Sequence, residues 1–152
     1  MSGSFSRDKG ARWEREVVKL LTVRLGCPDI YRGDQRDAKK KEPDVDGPGL
    51  ESLWIECKSM AKVQLRAALN QALEASAGTG RTVVLFLKET RKAPVVARVV
   101  DLPTYNGSIT GRFAGARAIS CARGGTMVFV TFDDVTLLVQ PLDGFLLELP
   151  YG

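Results

Sequence analysis

The sequence predicts an α/β domain built on a mixed sheet, and three observations lead there. Apolar residues recur with helical period over residues 9–25 and again over 62–77. Around them stand short runs that alternate, or are continuously β-branched and apolar, as strands are. Helical and strand segments interleave in the order α-β-β-β-α-β-β, with further strands beyond, rather than collecting in separate blocks. At 152 residues the chain fits one domain, large enough for a hydrophobic core.

Residues 1–8 read as a flexible basic arm. The first helix spans 9–25 and is ended by Gly26, with Pro28 just beyond. Its apolar residues Trp13, Val17, Val18, Leu20, Leu21 and Leu25 share one face at 100° per residue. Glu14 falls inside that face, where a carboxylate is costly unless paired or bound to a metal. Residues 30–32 suggest a short strand. A charged loop over 33–42 contains Lys39, Lys40 and Lys41. Residues 44–46 begin a strand or turn that Gly47-Pro48-Gly49 ends. Residues 53–58 form a strand whose alternation puts Glu56 and Lys58 on one side with Trp54, and Cys57 on the other.

The second helix has Leu65, Ala68, Leu69 and Ala72 on its inner face. Residues 82–87 are a buried central strand, and 95–100 another after Pro94. The Gly-rich segment 104–125 reads as loop, with Arg112, Arg117 and Arg123. Strands at 126–132 and 135–139 meet at Asp133-Asp134. Their apolar residues are expected either to complete the core or to build a dimer contact.

Composition narrows the chemistry. Histidine is absent, which excludes Ser-His-Asp and Cys-His catalysis and histidine-ligated zinc. The cysteines, Cys27, Cys57 and Cys121, are odd in number and widely spaced, so neither a zinc pattern nor a disulfide framework is expected. That usage, with no signal-peptide pattern and no apolar run of membrane-spanning length, leads to the expectation of a cytoplasmic protein without a membrane partner. The formal charge of +4 is unevenly placed: residues 1–41 carry eleven Lys/Arg against six Asp/Glu, whereas 126–152 carry four acids and no base. A basic N-terminal part points to an anionic partner such as nucleic acid.

What remains is a carboxylate–lysine constellation. Pro43-Asp44 is followed, after eleven residues, by Glu56-Cys57-Lys58. Hydrolysis of a phosphodiester needs charge neutralisation, a nucleophilic hydroxide and stabilisation of the leaving oxygen, all of which Mg²⁺ can serve. Mg²⁺ takes one or two carboxylates with waters and phosphate oxygens. Asp44 and Glu56 supply the carboxylates, the Cys57 carbonyl a further oxygen, and Glu14 a direct or water-mediated ligand. Lys58, on the Glu56 side, is placed to orient water or to stabilise developing charge. Asp46 lies on the same side as Asp44 in an extended segment and is a rival ligand. Cys27-Pro28-Asp29, a second Pro-Asp, sits at a helix end and reads as a turn.

Pro43-Asp44 with Glu56-x-Lys58, on an apolar strand before a helix, resembles the PD-(D/E)xK nuclease pattern. The segment from Lys9-Gly10 through Glu14-Arg15 to Leu21 resembles the first helix of archaeal Holliday-junction resolvases and their phage-borne relatives. The resemblance covers roughly residues 7–100. It implies a restriction-endonuclease-like core, a mixed central sheet flanked by helices. It also implies a Mg²⁺- or Mn²⁺-dependent endonuclease that cuts four-way DNA junctions as a homodimer, in the host cytoplasm if phage-encoded. By position, Glu14 becomes an active-site carboxylate and Arg15 a DNA contact. Many of the archaeal enzymes carry a functional serine in the loop before the metal-binding aspartate, and this chain has none between Asp29 and Asp44.

A DNA footprint is expected from Arg7, Lys9, Arg12, Arg15, Arg32, Arg36, Lys39, Lys40 and Lys41, and from Lys62, Arg66 and Gln71 by the second helix. Competing readings are another nuclease of the superfamily, acting on linear duplex or single strands, and an inactive DNA-binding module.

Overall fold

The computed structural model describes residues 2–33, 41–101 and 107–150, with side chains from residue 7 onward. Helix α1 (Ser2–Leu25) leads into β1 (Tyr31–Arg32), β2 (Val45–Asp46) and β3 (Leu53–Met60), then α2 (Leu65–Ser76), β4 (Thr82–Glu89) and β5 (Val95–Val100). The chain continues through α3 (Ala114–Arg123), β6 (Val128–Phe132), β7 (Val135–Pro141) and α4 (Leu142–Glu148). The strands form a seven-stranded mixed sheet in the order β1-β2-β3-β4-β5-β7-β6. The β3–β4 pair is parallel and the others are antiparallel. Parallel neighbours need a crossover connection, which α2 supplies.

Alternation along the strands divides the core into two layers. On one face Trp54, Leu85, Leu87, Ala97 and Val139 pack with Leu65, Leu69 and Ala72 of α2 and with Ala118 and Ile119 of α3. On the other, Ile55, Cys57, Val84, Phe86 and Val96 meet Trp13, Val17 and Leu21 of α1 and Leu142 and Phe145 of α4. Trp13 also donates its indole N–H to the Phe86 carbonyl at 3.0 Å, which fixes α1 against β4. Val130, Leu137 and Val139 are fully buried, so the strands from the C-terminal third complete this core. Among the described residues no helix is long and apolar enough to cross a membrane. Cys27, Cys57 and Cys121 are free thiols.

The structure departs from the sequence reading at three helices. Helix α1 begins at Ser2, so the segment expected as an arm is, from Ser2 onward, the start of that helix. Gly3 and Gly10 each weaken it by only about 1 kcal/mol, and extension from a helix already anchored by Trp13, Val17 and Leu21 adds a hydrogen bond per residue. Helix α3 lies within the segment expected as loop. Its buried residues Ala114, Ala118 and Ala122 recur at every fourth position, beside Ile119. Small side chains among glycines and arginines carry this period weakly. Helix α4 follows β7 directly and buries Leu142 and Phe145, a pair one helical turn apart.

Beside β3, the short strands β1 and β2 are held by close backbone packing. Gly33 donates its N–H to the Asp44 carbonyl at 2.9 Å. A Cβ on Gly33 would lie 2.1 Å from the Pro43 carbonyl oxygen. Gly47 has φ +146°, and a Cβ there would meet the Ile30 Cα at 2.8 Å. Only glycine fits either position without moving Asp44 and its neighbours. Gly33→Ala is therefore expected to lower stability by about 1–3 kcal/mol in urea unfolding, with the far-UV spectrum retained because the disturbance sits at one edge of the sheet. An unchanged midpoint would contradict this packing.

Candidate acidic site at the edge of β3

Asp44 is the hinge of the site. Its N–H donates to the Ile55 carbonyl at 2.8 Å, and its Oδ2 accepts the Cys57 N–H at 2.8 Å. The side chain thus takes a place in the ladder that a β2 carbonyl would otherwise fill. Pro43 precedes it, and its missing N–H costs nothing where the ladder ends. Asp44 is 9% exposed.

The Glu56 carboxyl lies within hydrogen-bonding reach of Asp44. It is held from the other side by Trp54, whose indole N–H donates to Glu56 Oε1 at 2.8 Å. Trp54 is buried under α2, so this donor is fixed. Lys58, next on the same side of β3, donates to the Gln71 side-chain oxygen on α2 at 2.6 Å. Glu14 approaches from α1. Its Oε2 accepts from Arg32 Nε at 2.9 Å and pairs with the same guanidinium at 2.8 Å.

The charges of these groups register on one another. Burial pushes the Asp44 carboxyl up to about 7, and the Glu56 charge adds to that rise. The Cys57 N–H and the Lys58 ammonium oppose it. Burial also raises Glu14, against the hydrogen bond from Arg32, and Asp44 raises it further. The buried Cys57 thiol is raised well above its ordinary value, first by burial, then by Asp44, Glu14 and Glu56, with Lys58 opposing. The charges of three carboxylates and one lysine therefore all act on Cys57.

The rival aspartate is engaged elsewhere. Asp46 Oδ1 pairs with Arg81 at 3.1 Å and accepts the Gly47 N–H at 2.8 Å. Arg81, just ahead of β4, also donates to the Leu53 carbonyl at 3.2 Å. Asp46 thus ties β2 to the start of the parallel pair.

The basic residues lie at several places. Arg7, Arg12 and Arg15 are exposed on α1, as are Lys41 before β2 and Lys62 before α2. Lys9 donates to the Thr90 hydroxyl at 2.5 Å. Arg32 faces Glu14, and Arg66 pairs with Asp133 at 3.0 Å. Gln71 is the partner of Lys58. Arg36, Lys39 and Lys40 lie outside the described residues. Sequence reasoning missed three positioning elements: Trp54 as the donor to Glu56, Arg32 as the partner of Glu14, and Gly33 under Asp44. The shared side of Trp54 and Glu56 on β3 was a usable signal for the first. The other two join segments distant in sequence and leave no local pattern.

Among the described residues no group of three or more Asp, Glu, Cys or His side chains is arranged to hold a metal ion. The donor set does suit a hard divalent cation of the Mg²⁺ kind, which needs only one or two carboxylates beside water and substrate oxygens. Asp44, buried, and Glu56, half-buried, are such a pair and repel each other when both are charged. In a strand the N–H and C=O of one residue leave on the same side, so the Cys57 carbonyl points to the edge where Asp44 lies.

Fold and site together define an α/β protein with an acidic pair and a lysine at the edge of a mixed sheet. Comparison with protein-family models, curated proteins and solved structures returns no match for this chain.

In the metal-free protein Asp44 has a folded pKa of about 7 against an ordinary 3.8. The folded state keeps this proton through that interval. The resulting stabilisation is full below about pH 4 and is lost as pH rises through about 7. Asp44→Asn removes that dependence and keeps an acceptor for the Cys57 N–H. Thermal unfolding without divalent cations is expected to show the wild type losing several degrees relative to Asp44→Asn between about pH 5 and about pH 8, at about 2–4 °C per kcal/mol. A pH-independent difference between the two proteins would contradict the raised Asp44.

Proposed function

We propose that this protein is a metal-dependent DNA endonuclease with a restriction-endonuclease-like core, and that it cuts phosphodiester bonds at branched DNA, four-way junctions above all. The observation that carries the reading is the convergence of Asp44, Glu56 and Lys58 beside one another, with Glu14 arriving from α1. The order α1-β1-β2-β3-α2-β4 supports it, because it brings Pro43-Asp44, just ahead of β2, beside Glu56-x-Lys58 on β3 with a helix on either face.

The residues divide the work. Asp44 and Glu56 would hold a Mg²⁺ or Mn²⁺ ion with the Cys57 carbonyl, and the ion would relieve the repulsion between the buried Asp44 and the half-buried Glu56. When bound, such an ion neutralises phosphate charge and lowers the pKa of water. Trp54 keeps the Glu56 carboxyl aimed at the pair. Gln71 holds the Lys58 ammonium on the Glu56 side, where it orients the attacking water or stabilises the developing negative oxygen. Glu14, with its charge balanced by Arg32, borders the same space. Arg7, Arg12, Arg15 and Lys41 supply phosphate contacts that position a duplex without reading its sequence. Two symmetric nicks at a junction need two such sites, so the working form is a homodimer.

Cleavage of junction, linear duplex and single-stranded DNA at equal concentration, with Mg²⁺, with Mn²⁺ and with chelator, tests this. The expected result is metal-dependent cutting that is fastest on the junction. Asp44→Asn, Glu56→Gln and Lys58→Ala are each expected to slow it by about 100-fold or more. Equal rates on all three substrates would remove the junction preference and leave a general nuclease. Full activity in Asp44→Asn would remove the catalytic assignment.

DNA affinity is also expected to fall linearly with salt on logarithmic axes, as phosphate-dominated binding does. Charge reversal at Arg12 and Arg15 should flatten that slope, and a slope unchanged by it would exclude these residues from the footprint.

A further inference from the structure

The segment ahead of α3 builds a second feature on the α2 side of the sheet. Gly111, Arg112 and Phe113 face the start of α2 across a cleft of about 710 Å³. Lys62, Arg66, Arg112, Phe113, Phe132 and Asp133 are among its lining residues. The two helices that frame it pack closely, since a Cβ on Gly115 would lie 2.9 Å from the Leu65 Cβ. The walls are therefore preformed rather than adaptable.

Phe113 is 67% exposed. A single exposed aromatic means little by itself; its surroundings give it direction. The Arg112 guanidinium lies 5.4 Å from the Phe113 ring centroid, and the Arg66 guanidinium 5.7 Å from that of Phe132. Lys62, exposed on the connection between β3 and α2, follows Lys58 by one short turn of chain. The lining carries three cations against one acid, Asp133, which Arg66 holds at 3.0 Å. Cations interleaved with an open aromatic face fit a ligand that is anionic along its length and flat at intervals. A single nucleic-acid strand has that chemistry, because every base offers a π-face and every linkage a negative charge.

We propose that this cleft binds a single nucleic-acid strand, with Phe113 stacked on an unpaired base and Lys62, Arg66 and Arg112 taking the neighbouring phosphates. This rests on the nuclease reading for its ligand class, and it gives a single strand opened from a duplex a place between the start of α2 and the segment ahead of α3. Asp133 pairs with Arg66 at 3.0 Å, so phosphate must displace it.

The test is fluorescence anisotropy with the full chain, without divalent metal, using labelled oligo-dT and an abasic oligonucleotide of the same length. Wild type is expected to bind oligo-dT more tightly than the abasic strand. Phe113→Ala should weaken oligo-dT binding by about fivefold or more, the scale of one stacked base, and leave the abasic strand nearly unaffected. Asp133→Asn should tighten both, by freeing Arg66. Phe113→Trp should retain binding and show indole quenching on addition of oligo-dT, against the buried Trp13 and Trp54. Equal affinity for the two strands, or no change in a folded Phe113→Ala, would overturn the proposal. Cleavage plays no part in this measurement. Failure of the nuclease site is read from cleavage and failure of the cleft from the comparison of the two strands, so they appear in separate experiments.

Discussion

The parallel pairing of β3 with β4 is the constraint on which the rest of the architecture depends. Parallel neighbours force a crossover, and α2 is that crossover. Once α2 covers one face, alternation along β3 is settled. Trp54, Glu56 and Lys58 look toward α2, and Ile55 and Cys57 look toward α1. Because α2 lies over β3, Gln71 meets Lys58 and Trp54 is sealed beneath the helix, where its indole N–H can fix Glu56. Arg81, just before β4, reaches back to Asp46 and the Leu53 carbonyl and ties the start of the pair to β2.

The same pairing leaves the outer side of β3 to a strand of only two residues, and chemistry gathers there. A long partner strand would satisfy the Cys57 N–H with a carbonyl. Here the Asp44 carboxylate does so, in a buried place beside a second carboxylate. Such an arrangement works against folding unless a proton or a cation intervenes, which is the ground for proposing the pair as a site. A contrast within the molecule makes the point. Glu89, buried as deeply, is met by Arg123 and by the Val63 N–H, and it links β4 to α3 and to the entry of α2. Asp46 is met by Arg81. Both of those acids are neutralised by arginine, whereas the Asp44–Glu56 pair is met by the Cys57 amide, the Trp54 indole and the charge of Lys58 and retains its mutual repulsion.

Much of this was legible in the sequence where the signal is periodic. The α1 stripe, the alternation on β3 and the continuous apolar run of β4 each encode burial directly, and all three appear as read. The inward tilt of Glu14 was legible too, although its partner Arg32 was not, because that pair joins α1 to a strand across a turn. Helix α3 was hidden by its composition: alanines at every fourth position bury little area each and stand among Gly and Arg. The distinction between Asp44 and Asp46 could not be read, since both precede the same Gly-Pro-Gly turn and both alternate to one side. Tertiary partners separate them: Arg81, far along the chain, takes Asp46, and the Cys57 N–H takes Asp44.

The central claim is that the Asp44–Glu56 pair, and not Asp46, forms the seat for a hard divalent cation. Isothermal titration of Mn²⁺ into the wild type and into Asp44→Asn, Glu56→Gln and Asp46→Asn tests it most directly. The account predicts that binding is lost or weakened by at least about tenfold in the first two variants and retained in a folded Asp46→Asn. Mn²⁺ affinity unchanged by Asp44→Asn and Glu56→Gln would contradict it.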